Sequence, residues 1–419
     1  MKVLIVHNRY RPTAPSGENA VVDQESSALV ARGHEVTLFQ RHSEEIASWS
    51  RLRRATLPAR VLWSEGSRRA ISELLVEFAP DVVHVHNTFP LVTPSVLYAC
   101  RDASVPVVAT LHNYKLGCAN GAFFRDGRVC HDCLAGSSLP ALIHSCYRGS
   151  PASTAPVVLG SLLHARAWQT LITAYIFISR AQQQLLAPIG LPVDRSFVKH
   201  NFVPPPPHDD EIATESQVAY VGRLDEAKGA PFLMQAWDAF CDRRPRSLLR
   251  LVVVGGGEMS ESVARWAVQH PSVTMAGQLS RPEVFRILSG SRAVVVPSQW
   301  EETFGMVAVE AMAAGTPPVA SAHGAFPELI TPRANGALFP PTDLDALVEI
   351  LIDIDDNPNL WAGYGQHARQ TYQNRFSLDA GVARLLEIYR FAVEHPIGRS
   401  GRSQQGARRS GRSTFGVSS

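Results

Sequence analysis

Short β-branched runs recur along the chain, each followed by a longer stretch whose apolar residues return at helical spacing. Lys2–Val6 reads as a strand, and a helix is expected from about Glu18 to Arg32. Glu35–Phe39, Asp81–Val85 and Val105–Leu111 read as further strands, with helical stretches near Arg68–Phe78 and Pro94–Cys100. Ile176–Ser179 and Phe197–His200 continue the pattern. Val203–Pro207, with the acidic run behind it, reads as a linker. A second set then begins at Val218–Val221, with strands near Leu251–Val254, Val273–Ala276, Ala293–Val296 and Pro318–Ala320. Strands that are apolar at every position are covered on both faces, so this alternation predicts α/β architecture with two doubly wound parallel sheets. The expected units are residues 1–202, a linker over 203–216, a second domain over 217–376, a last helix within 377–395 and a tail from 396 to 419.

Composition agrees with this division. At 419 residues, 45% hydrophobic and 19% charged, the chain is an ordinary globular one and too long for a single core. The first apolar run is stopped by Asn8 and Arg9, too early for a secretory leader, and Ala155–Ser179 is interrupted by His164, Arg166 and Gln169 before it can span a bilayer. A cytoplasmic chain is expected. The net charge of +2 belongs to the tail, where Pro396–Ser419 holds five arginines and no acid. That tail reads as disordered and solvated, with anionic lipid or nucleic acid as loose partners at most; no specific nucleic acid is expected. Arg51, Arg53, Arg54, Arg60, Arg68 and Arg69 interleave with Leu52, Leu57, Val61, Leu62 and Trp63. This stretch reads either as a solvated helix face or as peripheral contact with an anionic membrane.

The chemistry concentrates in Pro297–Gly315, PSQWEETFGMVAVEAMAAG. A buried strand turns into a helix here, with Thr303 as the expected N-cap and free N–H groups around Phe304, Gly305, Met306 and Val307. Such a helix end attracts a phosphate. Glu302 precedes it and Glu310 lies one turn in, so hydroxyls on either side of the anion have a carboxylate each. A second cluster, YVGRLDEAKG from Tyr220 to Gly229, places Arg223 and Lys228 at the carboxyl end of a strand, where two cations neutralise a leaving diphosphate. Val254–Gly257 adds a glycine-rich turn of low specificity.

Both segments resemble glycosyltransferase family 4, over about residues 1–395. Glu302, Phe304, Gly305, Glu310, Ala311, Met312, Ala313, Gly315 and Pro317 match its Glu-x7-Glu signature, and Arg223 with Lys228 match its GRLxxxKG motif. The resemblance implies a GT-B fold: two facing Rossmann-like domains with a final helix over Ser377–Glu394 that crosses back to the first. It also implies a retaining transferase that moves a hexosyl unit from a nucleotide-diphosphate sugar to a glycan or lipid-linked acceptor, with no cofactor required for catalysis. Arg223 and Lys228 then hold the diphosphate, Glu302 the sugar hydroxyls and Glu310 the ribose. His112 corresponds to the family's histidine facing the transferred sugar, and Gly17, beside Ser16 and Glu18, to its glycine loop, here with one glycine only. His323 stands where relatives often carry a glycine, which puts a close backbone contact at that residue in question. His84 and His86 read as structural or as lining the acceptor cleft.

Cys118, Cys130, Cys133 and Cys146 form a C-x11-C-x2-C-x12-C set inside one insertion, over about 113–150. The set suits a structural zinc ion; free thiols or a redox or iron–sulfur role are the alternatives. Asp353 and Asp355 form a DxD, but within a helical stretch far from the motifs, where solvated charges explain them. An epimerase of the same fold and a silent nucleotide-sugar-binding protein remain alternatives. A dehydrogenase does not, because His7–Gly17 has no GxGxxG.

Overall fold

The computed structural model describes residues 1–10, 17–134, 136–207 and 212–397. Its first sheet contains β1 (Lys2–Arg9), β2 (Glu35–His42), β3 (Val82–Asn87) and β4 (Val107–Leu111). After a small antiparallel hairpin, β5 (Phe124–Arg125) and β6 (Arg128–Val129), the sheet resumes with β7 (Ala174–Phe177) and β8 (Ser196–Val198). The order is β2-β1-β3-β4-β7-β8, parallel throughout. The second sheet holds β9 (Gln217–Val221), β10 (Arg250–Val254), β11 (Val273–Gly277), β12 (Ala293–Val296), β13 (Pro318–Ser321) and β14 (Ala337–Phe339). Its order is β11-β10-β9-β12-β13-β14, again parallel throughout. These are the two doubly wound sheets that the alternation predicts. Among the strands of these two sheets, β14 alone has no counterpart in the predicted alternation.

The central strands of each sheet are buried on both faces. Tyr220, Leu251, Val253 and Val295 meet Trp237, Phe240 and Leu351 in the second domain. On the first sheet Val3, Ile5 and Val108 meet Val382, Leu385, Ile388 and Tyr389 of the Leu378–Glu394 helix, so the last helix does cross back. The linker needs a correction at its start. Val203 is buried, its N–H donates to Phe376 and its carbonyl accepts from the Tyr372 hydroxyl at 3.0 Å, so it is fixed to the Pro358–Arg375 helix. The two aspartates of the DxD are structural: Asp353 accepts from Trp361 Nε1 at 2.9 Å, and Asp355 lies 3.7 Å from Arg292. No helix among the described residues is long and apolar enough to cross a membrane.

Candidate active site

Open parallel sheets bind ligands outside the carboxyl ends of the strands where the strand order reverses. In the second sheet that point lies between β9 and β12, and both motif segments emerge there, Gly222–Gly229 from β9 and Pro297–Gly305 from β12. The helix that follows runs Met306–Ala314 and is entered through Gly305 at φ 88°, a left-handed turn that a side chain would strain. Thr303 is therefore not the N-cap. It lies ahead of that turn, and its hydroxyl donates instead to the His112 carbonyl at 3.1 Å, joining the two domains. Phe304 is buried in the core against Phe376. The free N–H groups of the helix start are those of Met306 and Val307.

Glu302 is buried, accepting from Ser298 Oγ at 2.9 Å and from the Lys228 ammonium. Burial acts to raise its pKa, but the Lys228 charge and these hydrogen bonds outweigh it and hold the carboxyl below its ordinary value. The close backbone approach beside it falls at Gly324, where a Cβ would lie 2.6 Å from the Glu302 nitrogen. His323 is tolerated because its ring turns to the Ser298 carbonyl at 2.7 Å. Arg223 is exposed, with Asp225 at 3.3 Å. Glu310 is half-buried, and burial pushes its carboxyl up to about 7 against a weaker pull from Arg281.

The facing wall comes from the ends of β1, β3 and β4. Gly17 opens the Gly17–Ala31 helix, and a Cβ on it would lie 3.7 Å from Met306 Cγ, so the two helix starts face each other; Ser16 lies outside the described residues. His112 Nε2 is 2.9 Å from His86 Nδ1. His84 and His86 share one face of β3, ring centroids 4.0 Å apart, and His84 is tied to Tyr389 and Thr110, each at 2.7 Å. Burial lowers the pKa of all three rings far enough to keep them neutral near pH 7. A cavity of about 180 Å³ opens beside His86 and His112, bounded by Lys115, Val157, His164 and Trp168.

Three charged groups here, Lys115, Glu25 and Lys199, escaped the sequence reading, and Glu18 enters it only as a neighbour of the loop glycine. Glu18 sits beside Tyr10, Asn113 and Lys115, and burial pushes its carboxyl up to about 8. Glu25 and Lys199 form a wholly buried pair at 2.6 Å. A signal existed for Glu25: it occupies the apolar stripe with Val21, Val22, Ala28 and Leu29, where an acid is out of place.

The insertion reaches across the cleft, with His131 Nε2 2.6 Å from Glu301 Oε2. All four of its cysteines are free. Cys118, Cys130 and Cys133 are close enough to Cys146 for their charge to bear on its thiol, after burial, which raises it most. The sulfurs do not close into a ligand shell: among the described residues, the one set of three or more potential ligands within 4.8 Å of one another is Glu25, His84 and His86.

Two parallel-sheet domains, with a helix start and a lysine–glutamate pair at the switch point of one and a histidine pair at the strand ends of the other, define a glycosyltransferase of GT-B architecture. Residues 208–371 match the sequence model described as Glycosyl transferases group 1, and residues 15–205 that of Glycosyltransferase Family 4. The chain belongs to this family of enzymes. It is 23% identical over 430 residues to an uncharacterised glycosyltransferase of Methanocaldococcus jannaschii, covering 94% of this chain and 99% of that one. Identity to a phosphatidyl-myo-inositol mannosyltransferase of Mycolicibacterium smegmatis is also 23%, over 91% of each chain. The crystal structure of Anabaena HepE in complex with UDP-glucose superposes with a TM-score of 0.63 at 19% identity, over 92% of this chain and 98% of that one.

Proposed function

We propose that this enzyme transfers a hexosyl unit, with retention of configuration, from a UDP- or GDP-sugar to a glycan or lipid-linked acceptor in cell-surface polysaccharide or glycolipid synthesis. The observation that carries this reading is the Lys228–Glu302–Ser298 group at the start of the Met306–Ala314 helix, directly across from Gly17 and His112. A diphosphate seated on the free N–H groups of Met306 and Val307 lies within the influence of Lys228 and Arg223. Lys228 then exchanges its bond to Glu302 for the phosphates, which frees the carboxylate for sugar hydroxyls, while Glu310 receives the ribose. The bond from the anomeric carbon to the β-phosphate oxygen breaks, the acceptor oxygen bonds to that carbon on the same face, and its proton passes to the departing diphosphate. His112 stabilises the sugar as positive charge develops. Thermal shifts with UDP, GDP and their sugars test the donor site, since a ligand of the folded state raises stability by about 2.7 kcal/mol at a hundredfold excess over Kd. Product anomers read by NMR test retention. Inverted product, or no shift with any nucleotide, overturns the reading.

The acceptor side supports a lipid-linked substrate met at the cytoplasmic membrane face. The Pro151–Thr170 helix buries Val157, Val158 and Ala167 yet exposes Leu159, Leu162 and Leu163, so it is apolar on both sides. A surface helix of that kind calls for a second apolar neighbour. Leu139 and Ile143 are exposed on the helix packed against it, and the helices Arg51–Ala55 and Leu57–Leu62, the second of which also packs against it, carry exposed Leu52 with Arg51, Arg53, Arg54 and Arg60. Co-sedimentation with phosphatidylglycerol vesicles but not phosphatidylcholine vesicles is expected, and is expected to fail in Leu162→Ser/Leu163→Ser. The cysteine set has the donor chemistry of zinc but not its closed geometry, so zinc here is a proposal that the ion draws the thiols together. Metal analysis of protein purified without chelator decides it, one equivalent being expected and Cys130→Ser/Cys133→Ser removing it.

A further inference from the structure

His112 does not stand alone. Its Nε2 meets His86 Nδ1 at 2.9 Å, and the opposite nitrogen of that ring, His86 Nε2, is buried with no hydrogen-bond partner. It lies 3.7 Å from Glu25 Oε2, itself buried and without a partner, while Glu25 Oε1 is held by Lys199 Nζ at 2.6 Å. The order is therefore ammonium, carboxylate, imidazole, imidazole, running from the core to the cleft. We propose that Glu25 and His86 are positioning residues that select the tautomer of His112.

The selection follows from hydrogen-bond valence. A neutral imidazole carries one N–H and one bare nitrogen. Only the tautomer of His86 with its proton on Nε2 offers hydrogen to the Glu25 carboxylate; the other aims a lone pair at a negative charge inside the core. With Nε2 protonated, His86 Nδ1 is an acceptor, and the 2.9 Å contact then requires the proton of His112 to lie on its Nε2. Nδ1 of His112 is left as the acceptor of that ring, and it has no hydrogen-bond partner among the described residues. It can take the hydrogen of a sugar hydroxyl but cannot donate to one. Lys199 Nζ donates to Glu25 Oε1 and so fixes which way the carboxylate points, and the setting is made by groups that never touch substrate.

A cation held by Glu25, His84 and His86 is the competing use of the same cluster. It is disfavoured because the cation would face the Lys199 ammonium across a single carboxylate, and because both nitrogens of His84 are already engaged by Tyr389 and Thr110.

The inference rests on His112 facing the transferred sugar, but its first test does not. Long-range proton–nitrogen correlation spectra of the full chain labelled with 15N-histidine report which nitrogen of each neutral ring is protonated. The expected result is Nε2–H for both His86 and His112. Glu25→Gln, whose amide can donate to His86 Nε2, should reverse both tautomers and lower kcat on the order of tenfold or more, while UDP or GDP affinity stays unchanged. Nδ1–H on His112 of the native protein, or unchanged tautomers and kcat in Glu25→Gln, overturns the proposal. Should Glu25→Gln not fold, the His86 pair decides: His86→Asn, whose amide oxygen replaces Nδ1 as acceptor, should keep the His112 tautomer and most of the turnover, and His86→Leu should lose both. Equal turnover in those two variants overturns the proposal as well. If nucleotides fail to bind the native protein while the tautomers are as expected, the donor assignment has failed and the selection by Glu25 has not.

Discussion

Two lysine–glutamate pairs flank the cleft, one on each side, and they are built for different purposes. Lys199 and Glu25 are 1% and 0% exposed; Lys228 and Glu302 are 24% and 5% exposed. The first pair is sealed under the first sheet, where removing charge from water is expensive and only mutual contact offsets it. It has no room to exchange partners, so it serves as a fixed reference for the histidines beside it. The second pair borders the helix start at the switch point of the other sheet. Lys228 also lies over the Trp300 ring, 5.3 Å from its centre, and retains solvent access, so its ammonium can leave Glu302 for a phosphate. The difference lies in access, since the two residue types are the same. A closed pair orients, and an open pair exchanges.

Breaking each pair from the lysine side should separate these roles. Lys199→Met leaves the Glu25 carboxyl in the core without its partner, and we expect it to cost about 3–5 kcal/mol of stability, seen as a lower denaturant midpoint. Lys199→Met/Glu25→Leu should recover most of that loss, because a buried pair is seldom better than a well-packed apolar one. Lys228→Met should cost less, about 1–3 kcal/mol, since Ser298 still donates to the carboxylate and the lost ammonium was itself in part exposed. Its larger effect should be on ligand: UDP or GDP affinity is expected to fall about tenfold or more, whereas folded Lys199→Met keeps it. Equal stability losses in the two variants, or equal nucleotide affinities, would erase the distinction between them.

The same contrast explains what could be read from the sequence. The switch-point side of the cleft lies in two continuous segments, and a motif within one segment survives being read as text. Glu302, Lys228 and Gly305 are where the spacing puts them, and the parallel sheets follow from runs such as Val294–Val296 that leave no alternative period. What failed within those segments was local: Thr303 looks like a cap until Gly305 takes up the left-handed turn and moves the helix start beyond it. The facing wall joins residues 18, 25, 86, 112 and 199, which only the order of the whole first sheet and the Gly17–Ala31 helix packed on it bring together. His86 and His112 are adjacent because β3 and β4 pair in parallel, a fact no single stretch contains. Burial is equally hidden. Glu18 follows the glycine of a recognisable loop, yet nothing in its neighbours along the chain shows that its carboxyl is taken out of water.

Glu310 extends the comparison to a single acid with no lysine at hand. Its carboxyl is pushed up from the usual 4.5 to about 7 by burial, so near neutral pH the free protein holds a mixture of protonated and ionised forms. The sign follows directly. An acid whose folded pKa is raised contributes stability that is complete below its unfolded pKa and is lost as pH rises through the folded one, so Glu310→Gln should be more stable than the native protein at pH 8 and not at pH 4. Ligand binding runs the other way, because a carboxylate accepting two ribose hydroxyls must be ionised. Affinity for UDP or GDP should therefore strengthen about tenfold between pH 6 and pH 8, beyond any change the nucleotide's own phosphate causes, which Glu310→Gln measures on the same ligand. Calorimetry in two buffers of different ionisation enthalpy should show up to one proton released on binding at pH 6.5 by the native protein in excess of the variant. If native protein and Glu310→Gln show the same pH slope, Glu310 does not receive the ribose, and its raised pKa reflects burial alone.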